Sequence, residues 1–230
     1  RTLLRFAHNG PLRVLQSLYP EGPGICHNVL VHPPGGLVAG DSLDVKVTVA
    51  PGAHALVSTP GAARFYKSNS AAAKQTVTLQ LAENARLEWL PLETIAYPGC
   101  QGVNRLHMDL APGAEMLAWD VTALGLPGAG QAFDTGQFTQ HMHWPGVWLE
   151  QACLSATDTA LLDSPLGLAG HRCMGTLLFA SGTPLPRVRQ EALLDAVRAA
   201  VATHALAAST GATCPNDREI GRASCRERVS

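Results

Sequence analysis

The sequence predicts a mainly β protein in which strand repeats stack on one another, as in a β-solenoid or in layered sheets, with one C-terminal helix. Residues 45–59, 77–91 and 106–120 align without gaps. Each segment has alternating apolar residues, an alanine, a two-residue turn, another alanine and a second apolar run. Strand units that recur about every 30 residues are typical of stacked β architectures.

Alternation within the three repeats predicts which side chains form the core. Because successive strand residues point to opposite faces, one face of each first strand is wholly apolar. Burying such side chains stabilises the stack by roughly 1.5 to 3 kcal/mol each, before the entropy cost of folding. The predicted inward positions are Val45, Val47, Val49, Val77, Leu79, Leu81, Leu106, Met108 and Leu110.

The period changes only near the end of the chain. Within residues 189–207, Leu193, Leu194, Val197 and Val201 lie at helical spacing and predict one amphipathic helix. The residues that follow become charged and aperiodic. We therefore expect a single β domain over residues 1–210 and a disordered or foreign tail over residues 211–230.

Composition limits the classes of partner. Hydrophobic residues make up 46% of the 230 residues, whereas charged residues make up 15% and the formal net charge is -1. A chain with so little charge is not expected to bind nucleic acid or anionic lipid. No apolar run approaches the ~20 residues of a membrane helix. The six cysteines form no CxxC pair, which favours reduced thiols and a cytoplasmic location.

The most specific stretch runs from His32 to Asp41 and reads HPPGGLVAGD. Its prolines fix φ, and its glycines adopt backbone angles that are closed to other residues. It lies between the apolar runs 25–31 and 43–49, so it predicts an ordered turn between two strands. A phosphate-binding loop is disfavoured because the GK[ST] ending is missing and no helix follows.

An enzymatic alternative depends on Ser42. Residues 40–43 spell GDSL, the nucleophile block of a family of serine esterases. Those enzymes also need a DxxH segment to supply the acid and the base. No DxxH occurs in this sequence, and the strand and helix alternation of an α/β hydrolase is absent. The esterase hypothesis therefore remains the weaker one.

Several side chains are candidate metal ligands. The adjacent or near-adjacent pairs are Cys26 with His27, His141 with His143, and His171 with Cys173. A spacing of two on a strand puts His141 and His143 on one face, where a borderline metal could bind, although two ligands do not close a site. Carboxylates in or beside apolar strands must be paired, exposed or in contact with water; they are Asp41, Glu88, Glu93, Asp120 and Glu150.

Ordered sequence blocks over residues 1–205 resemble one known family. They include GPLRV, YPEG, HPPGGLVAGD, PGAHALVSTPGAARFYKS, LEWLPLETI, LAWDVTALGLP and PLGLAG. On these blocks the chain resembles the UreD (UreH) urease accessory proteins. The family normally continues beyond both ends of the matched region, so the resemblance implies that this chain is truncated at both ends.

The resemblance implies a non-enzymatic scaffold in urease maturation. Family members bind UreF, which recruits the GTPase UreG, and the assembly delivers nickel to apo-urease; a dimer within the complex is compatible with this picture. Nickel would be cargo in transit through a polar passage, with no cofactor tightly bound. Asp41, Glu93 and Asp120 match or adjoin the family blocks, and we hypothesise that they line the nickel route, since a hard or borderline cation needs transient oxygen ligands.

Overall fold

A computed structural model of the protein describes residues 1–227. Two β-sheets face each other across an apolar interior, and one long helix lies at the C-terminal side. The strands are β1 Arg13–Val14, β2 Ile25–Val31, β3 Ser42–Val49, β4 His54–Ser58, β5 Ala63–Phe65, β6 Ala73–Leu81, β7 Arg86–Leu90, β8 Thr94–Ala96, β9 Gln101–Leu110, β10 Glu115–Leu124, β11 Gln137–Trp144, β12 Trp148–Ser155, β13 Cys173–Ser181 and β14 Glu219–Glu227. The α-helices are α1 Thr159–Asp163 and α2 Arg187–Ala202.

The three sequence repeats form three stacked coils. In each coil the first strand belongs to the five-stranded sheet, in the order β12-β11-β9-β6-β3, and the second strand belongs to the nine-stranded sheet. Val45, Val77 and Leu106 lie side by side on parallel strands β3, β6 and β9. The second strands β4, β7 and β10 are parallel and in matching register as well. The predicted stacked β architecture is confirmed.

The turns between the two strands of each coil also stack. The Gly52 amide donates to Glu83 O at 3.0 Å, and the Asn84 amide donates to Pro112 O at 3.2 Å. Gly113 has φ +74°, and a Cβ there would lie 2.2 Å from Asn84 Oδ1. The left-handed backbone angle favours glycine at position 113, whereas the nearby Asn84 oxygen is the flexible end of a side chain.

The predicted inward side chains do form the core. In the second and third coils they are buried, as for Leu79 and Met108, which are 0% and 1% exposed. In the first coil Val45 and Val47 are only half-buried, because β3 is the edge strand of its sheet. The intervening Lys46 and Thr48 are exposed.

The stretch from His32 to Asp41 is an ordered connection that joins β2 of the larger sheet to β3 of the smaller sheet. The Leu37 amide donates to Arg64 O at 2.7 Å, and the Tyr66 amide donates to Leu37 O at 2.9 Å. A Cβ on Gly36 would lie 2.3 Å from the Tyr66 ring, so the backbone packs directly against that side chain. The predicted turn between two strands is confirmed.

Helix α2 rests on the larger sheet by its predicted apolar face. Leu193, Leu194, Val197 and Val201 are the half-buried positions of that face. At the start of the helix, Arg189 Nη1 lies 2.6 Å from Glu115 Oε1 and the guanidinium lies over Phe179. No helix within residues 1–227 is both long and apolar enough to cross a bilayer.

Strand β14 falls inside the segment that the sequence predicts to be a disordered or foreign tail, residues 211–230. It pairs antiparallel with β13, from Cys173↔Glu227 to Ala180↔Glu219, with one irregularity in register. Residues 228–230 lie outside the described residues. The division of the chain at residue 210 and the foreign origin of the tail stay predictions.

Candidate functional site

The space between the two sheets contains two apolar clusters separated by polar side chains. One cluster, which we call the apolar core, includes Leu79, Met108 and Met116. The second cluster includes Phe65 and Phe138. Between the clusters, the inward positions of four strands become polar, and we call these side chains the polar layer: Gln75 on β6, Asn104 on β9, Asp120 and Thr122 on β10, and Gln140 on β11.

Strand register brings the three amides of the polar layer into one row. Gln75 pairs with Asn104, and Asn104 pairs with Gln140, across parallel strands. Gln75 Nε2 donates to Asn104 Oδ1 at 3.2 Å. The row therefore forms an amide ladder on the inner face of the five-stranded sheet, where side-chain hydrogen bonds replace contact with water.

The amide ladder holds the Asp120 carboxylate, which reaches across from the opposite sheet. Gln140 Nε2 donates to Asp120 Oδ1 at 2.7 Å, and Asn104 Nδ2 lies 3.4 Å from Asp120 Oδ2. The Thr122 hydroxyl adds a bond to Asp120 Oδ1 at 3.0 Å. These bonds connect the two sheets through one acidic group.

The interior disfavours the charged form of Asp120. Burial raises the pKa of this carboxyl above its ordinary value, and the Glu150 carboxylate raises it further. Hydrogen bonds from Thr122 and Gln140 lower the pKa but do not cancel the effect of burial. A cation that reached Asp120 would favour the ionised carboxylate, because an opposite charge at short range offsets the desolvation of the anion.

Asp120 also borders a cavity of about 210 Å³, which has room for several water molecules. The wall is mostly apolar and includes Trp89, Leu106 and residues of the connection from His32 to Leu37. Gln75 and Asn104 of the polar layer line the same space. Of the described lining residues, the ionisable ones are His32, Arg64, Arg105 and Asp120, so Asp120 supplies the cavity's carboxylate.

The structure does not bring the three predicted route residues together at this cavity. Asp120 lines it, whereas Asp41 and Glu93 do not. Asp41 is exposed and accepts a hydrogen bond from the Val38 amide at 2.9 Å, which fixes the end of the turn. Glu93 is half-buried, and its backbone oxygen accepts from the Ala63 amide at 2.9 Å.

Sequence reasoning missed four members of the polar layer, Gln75, Asn104, Thr122 and Gln140. A signal for two of them was present. If the alternation is extended two residues upstream of Val77 and Leu106, the next inward positions are Gln75 and Asn104. Polar residues at equivalent inward positions of neighbouring coils indicate a shared hydrogen-bonded layer, because a lone buried amide is costly.

The remaining candidates from the sequence do not assemble into a catalytic site. The Ser42 hydroxyl lies at the exposed start of β3 and donates to Asp44 Oδ2 at 3.2 Å, which gives the esterase hypothesis no support. Glu88 is paired, with His54 Nε2 at 2.9 Å. This pair lies on the outward face of the larger sheet, away from the polar layer.

The cysteines and histidines do not form a ready-made metal site. Cys26 is buried, whereas the adjacent His27 points outward and binds Glu21 at 2.8 Å, so this predicted pair does not converge. Burial raises the pKa of Cys100 to about 11, which keeps that thiol protonated near neutral pH. In the described part of the chain, no group of three or more His, Cys, Asp or Glu side chains is already arranged to hold a metal ion.

Comparisons with known proteins agree with the resemblance. The family profile described as UreD urease accessory protein matches residues 1–228. A urease accessory protein UreD of Paracidovorax citrulli is 60% identical over 220 residues, which cover 96% of this chain and 80% of the relative. The protein of the same description from Albidiferax ferrireducens is 59% identical with the same coverage. The urease accessory protein UreD of Leptothrix cholodnii is 54% identical, and the match covers 79% of that relative.

Proposed function

The chain belongs to the UreD family of urease accessory proteins, and we propose that it serves urease maturation by letting nickel pass between its two sheets at Asp120. One observation carries this proposal: the cavity between the two sheets is lined by the Asp120 carboxylate, which the polar layer holds by hydrogen bonds. A purely structural interior would gain stability from apolar residues at these positions, since buried polar groups cost free energy unless they are fully paired.

The chemistry of the polar layer suits an ion in transit better than an ion held in place. Nickel is a borderline cation that accepts imidazole and oxygen ligands. The wall has one carboxylate beside Arg64 and Arg105, so it attracts a cation only weakly and lacks the several ligands that make a tight site. Because burial raises the pKa of Asp120, arrival of the cation would promote loss of the carboxyl proton, and departure of the cation would promote its return.

The proposed partners are those implied by the resemblance. The relatives are named accessory proteins, which supports a scaffold that acts with urease and with other maturation factors rather than an enzyme. We propose UreF and UreG as those factors, apo-urease as the recipient, and the cytoplasm as the location. The free thiols of Cys26, Cys100, Cys153 and Cys214 support a reducing compartment.

Asp41 and Glu93 enter this proposal as residues outside the cavity. Asp41 is exposed on the connection whose first residue, His32, lines the cavity. Glu93 precedes Thr94, which also lines it. We propose that these carboxylates attract the ion near the route, so their replacement should impair transfer less than replacement of Asp120.

Co-expression with apo-urease and the other accessory proteins tests the proposed function. Omitting this chain should leave urease inactive and poor in nickel; full urease activity without the chain would contradict the proposal. Asp120→Ala should reduce urease activation most, and Asp41→Ala or Glu93→Ala should reduce it less. Each variant must accumulate and fold like the parent chain for this comparison.

The esterase alternative is tested by the variant Ser42→Ala. The scaffold hypothesis expects unchanged urease activation and no ester hydrolysis by either protein. Hydrolysis of a small ester by the parent chain, lost in Ser42→Ala, would instead support the alternative.

A further inference from the structure

Three histidines meet on the outer face of the five-stranded sheet, on the opposite side of β9 and β11 from the polar layer. His107 lies on β9, and His141 and His143 lie on β11. His107 is paired in register with His143, and Arg105 is paired with His141. The sequence pointed to His141 and His143 alone; the strand pairing adds the third imidazole.

The three rings are nearly equidistant. Their centroids are 5.6 Å apart for His107 and His141, 6.0 Å for His107 and His143, and 5.8 Å for His141 and His143. When three imidazoles bind one tetrahedral ion through nitrogens about 2.0 to 2.1 Å from the metal, their ring centroids lie roughly 5 Å apart. The rings therefore need to close by about 1 Å or less, together with rotation that turns a nitrogen of each toward a common point.

The cluster is also chemically suited to a cation that binds neutral imidazole. Burial lowers the pKa of His107, and the neighbouring His141, His143 and Arg105 lower it further, so His107 favours its uncharged form. The Nδ1 atom of His141 is shielded from solvent and has no hydrogen-bond partner among the described residues. A shielded nitrogen without a protein partner is unusual in a folded protein, and it leaves this nitrogen available to a water or a metal ion.

We propose that His107, His141 and His143 together bind one divalent first-row transition-metal ion such as Zn²⁺, Co²⁺ or Ni²⁺ on the outer face of the sheet. Imidazole is a common ligand for this group of ions. The fourth position would be open to water or to a ligand from a partner. This outer His site is separate from Asp120 and does not depend on the proposed nickel route.

Titration of the purified chain with Co²⁺ and Zn²⁺ tests the outer His site. Binding would be followed by the visible spectrum of Co²⁺ and by competition for Zn²⁺ with a chromophoric chelator. We expect the cluster to bind about one ion per chain. The variants His107→Gln and His143→Gln should each weaken that binding about tenfold or more, because each removes one of three ligands.

Two matched variants show whether the loss is specific to the cluster. His8→Gln removes an exposed histidine that lies elsewhere, and Cys153→Ser removes an exposed thiol on the adjacent strand β12. Both should keep the affinity of the parent chain, and circular dichroism should show the same fold for every variant.

Equal affinity of the His107→Gln, His143→Gln and parent chains would overturn the outer His site. Loss of binding in Cys153→Ser without loss in the histidine variants would overturn it as well. Normal urease activation by a folded Asp120→Asn variant would count against the nickel route and leave the outer His site standing, so the two proposals fail separately.

Discussion

The apolar core and the polar layer occupy consecutive inward positions of the same strands, yet they do different things. On β6, Leu79 is fully buried in the apolar core, whereas Gln75 belongs to the polar layer two inward positions away. On β9, Met108 is likewise buried in the apolar core, whereas Asn104 belongs to the polar layer. The coil repeat therefore secures the fold through one part of the interior and leaves the neighbouring part free to carry polar chemistry.

The largest expected effect comes from the apolar core. Leu79→Ala should lower the free energy of unfolding by about 2 to 5 kcal/mol, since it removes buried methyl groups and leaves a cavity in the middle coil. Urea denaturation followed by circular dichroism measures the change. Thr78→Ala, on the outward face of the same strand, is the control and should change the free energy by about 0.5 kcal/mol or less. Similar losses in the two variants would contradict the assignment of inward and outward faces.

A smaller effect is expected in the polar layer. Asn104→Ala removes the central amide of the ladder and leaves Gln75 and Asp120 each without one hydrogen-bond partner. The free energy of unfolding should fall by about 1 to 3 kcal/mol. Gln80→Ala, on the outward face of β6, serves as the control for loss of an amide. If Asn104→Ala is as stable as the parent, the ladder has no structural value.

The smallest effect is expected at Asp120 and depends on pH. Because the pKa of Asp120 is higher in the folded protein than its ordinary value, ionisation of this group destabilises the fold. That cost is absent below the unfolded pKa, grows as the pH rises toward the folded pKa, and is complete above it.

Asp120→Asn removes the ionisation. The stability of this variant relative to the parent should therefore be greater at pH 7 than at pH 4. Urea denaturation of both proteins at the two pH values measures the difference. A relative gain at pH 4 instead would mean that the folded protein favours the Asp120 anion.

The apolar core could be predicted from the sequence, but most of the polar layer could not. Alternation and a gapless repeat identify the inward positions Val77, Leu79 and Leu106 without knowledge of contacts. The family resemblance, not the alternation, identified Asp120 as a candidate. Gln140 lies outside the three repeats and joins the polar layer only through its register with Asn104.

Proximity along the chain was a poor guide at two other places. Asp41 closes the most specific stretch of the sequence, yet its carboxylate holds a turn rather than facing the cavity. His107 joins His141 and His143 only because β9 and β11 are neighbours in the sheet. Strand order and register, which decide these contacts, depend on how the whole chain packs and are not written in any local pattern.

The nickel content of urease matured in the presence of Asp120→Asn shows most directly whether the ion passes the polar layer. Asp109→Asn, which changes an exposed carboxylate on the outward face of β9, is the matched control. Both variants should fold and accumulate like the parent chain. We expect urease with little nickel from cells that carry Asp120→Asn and a normal nickel content with Asp109→Asn. A normal nickel content with stably folded Asp120→Asn would contradict the claim that the polar layer carries the ion.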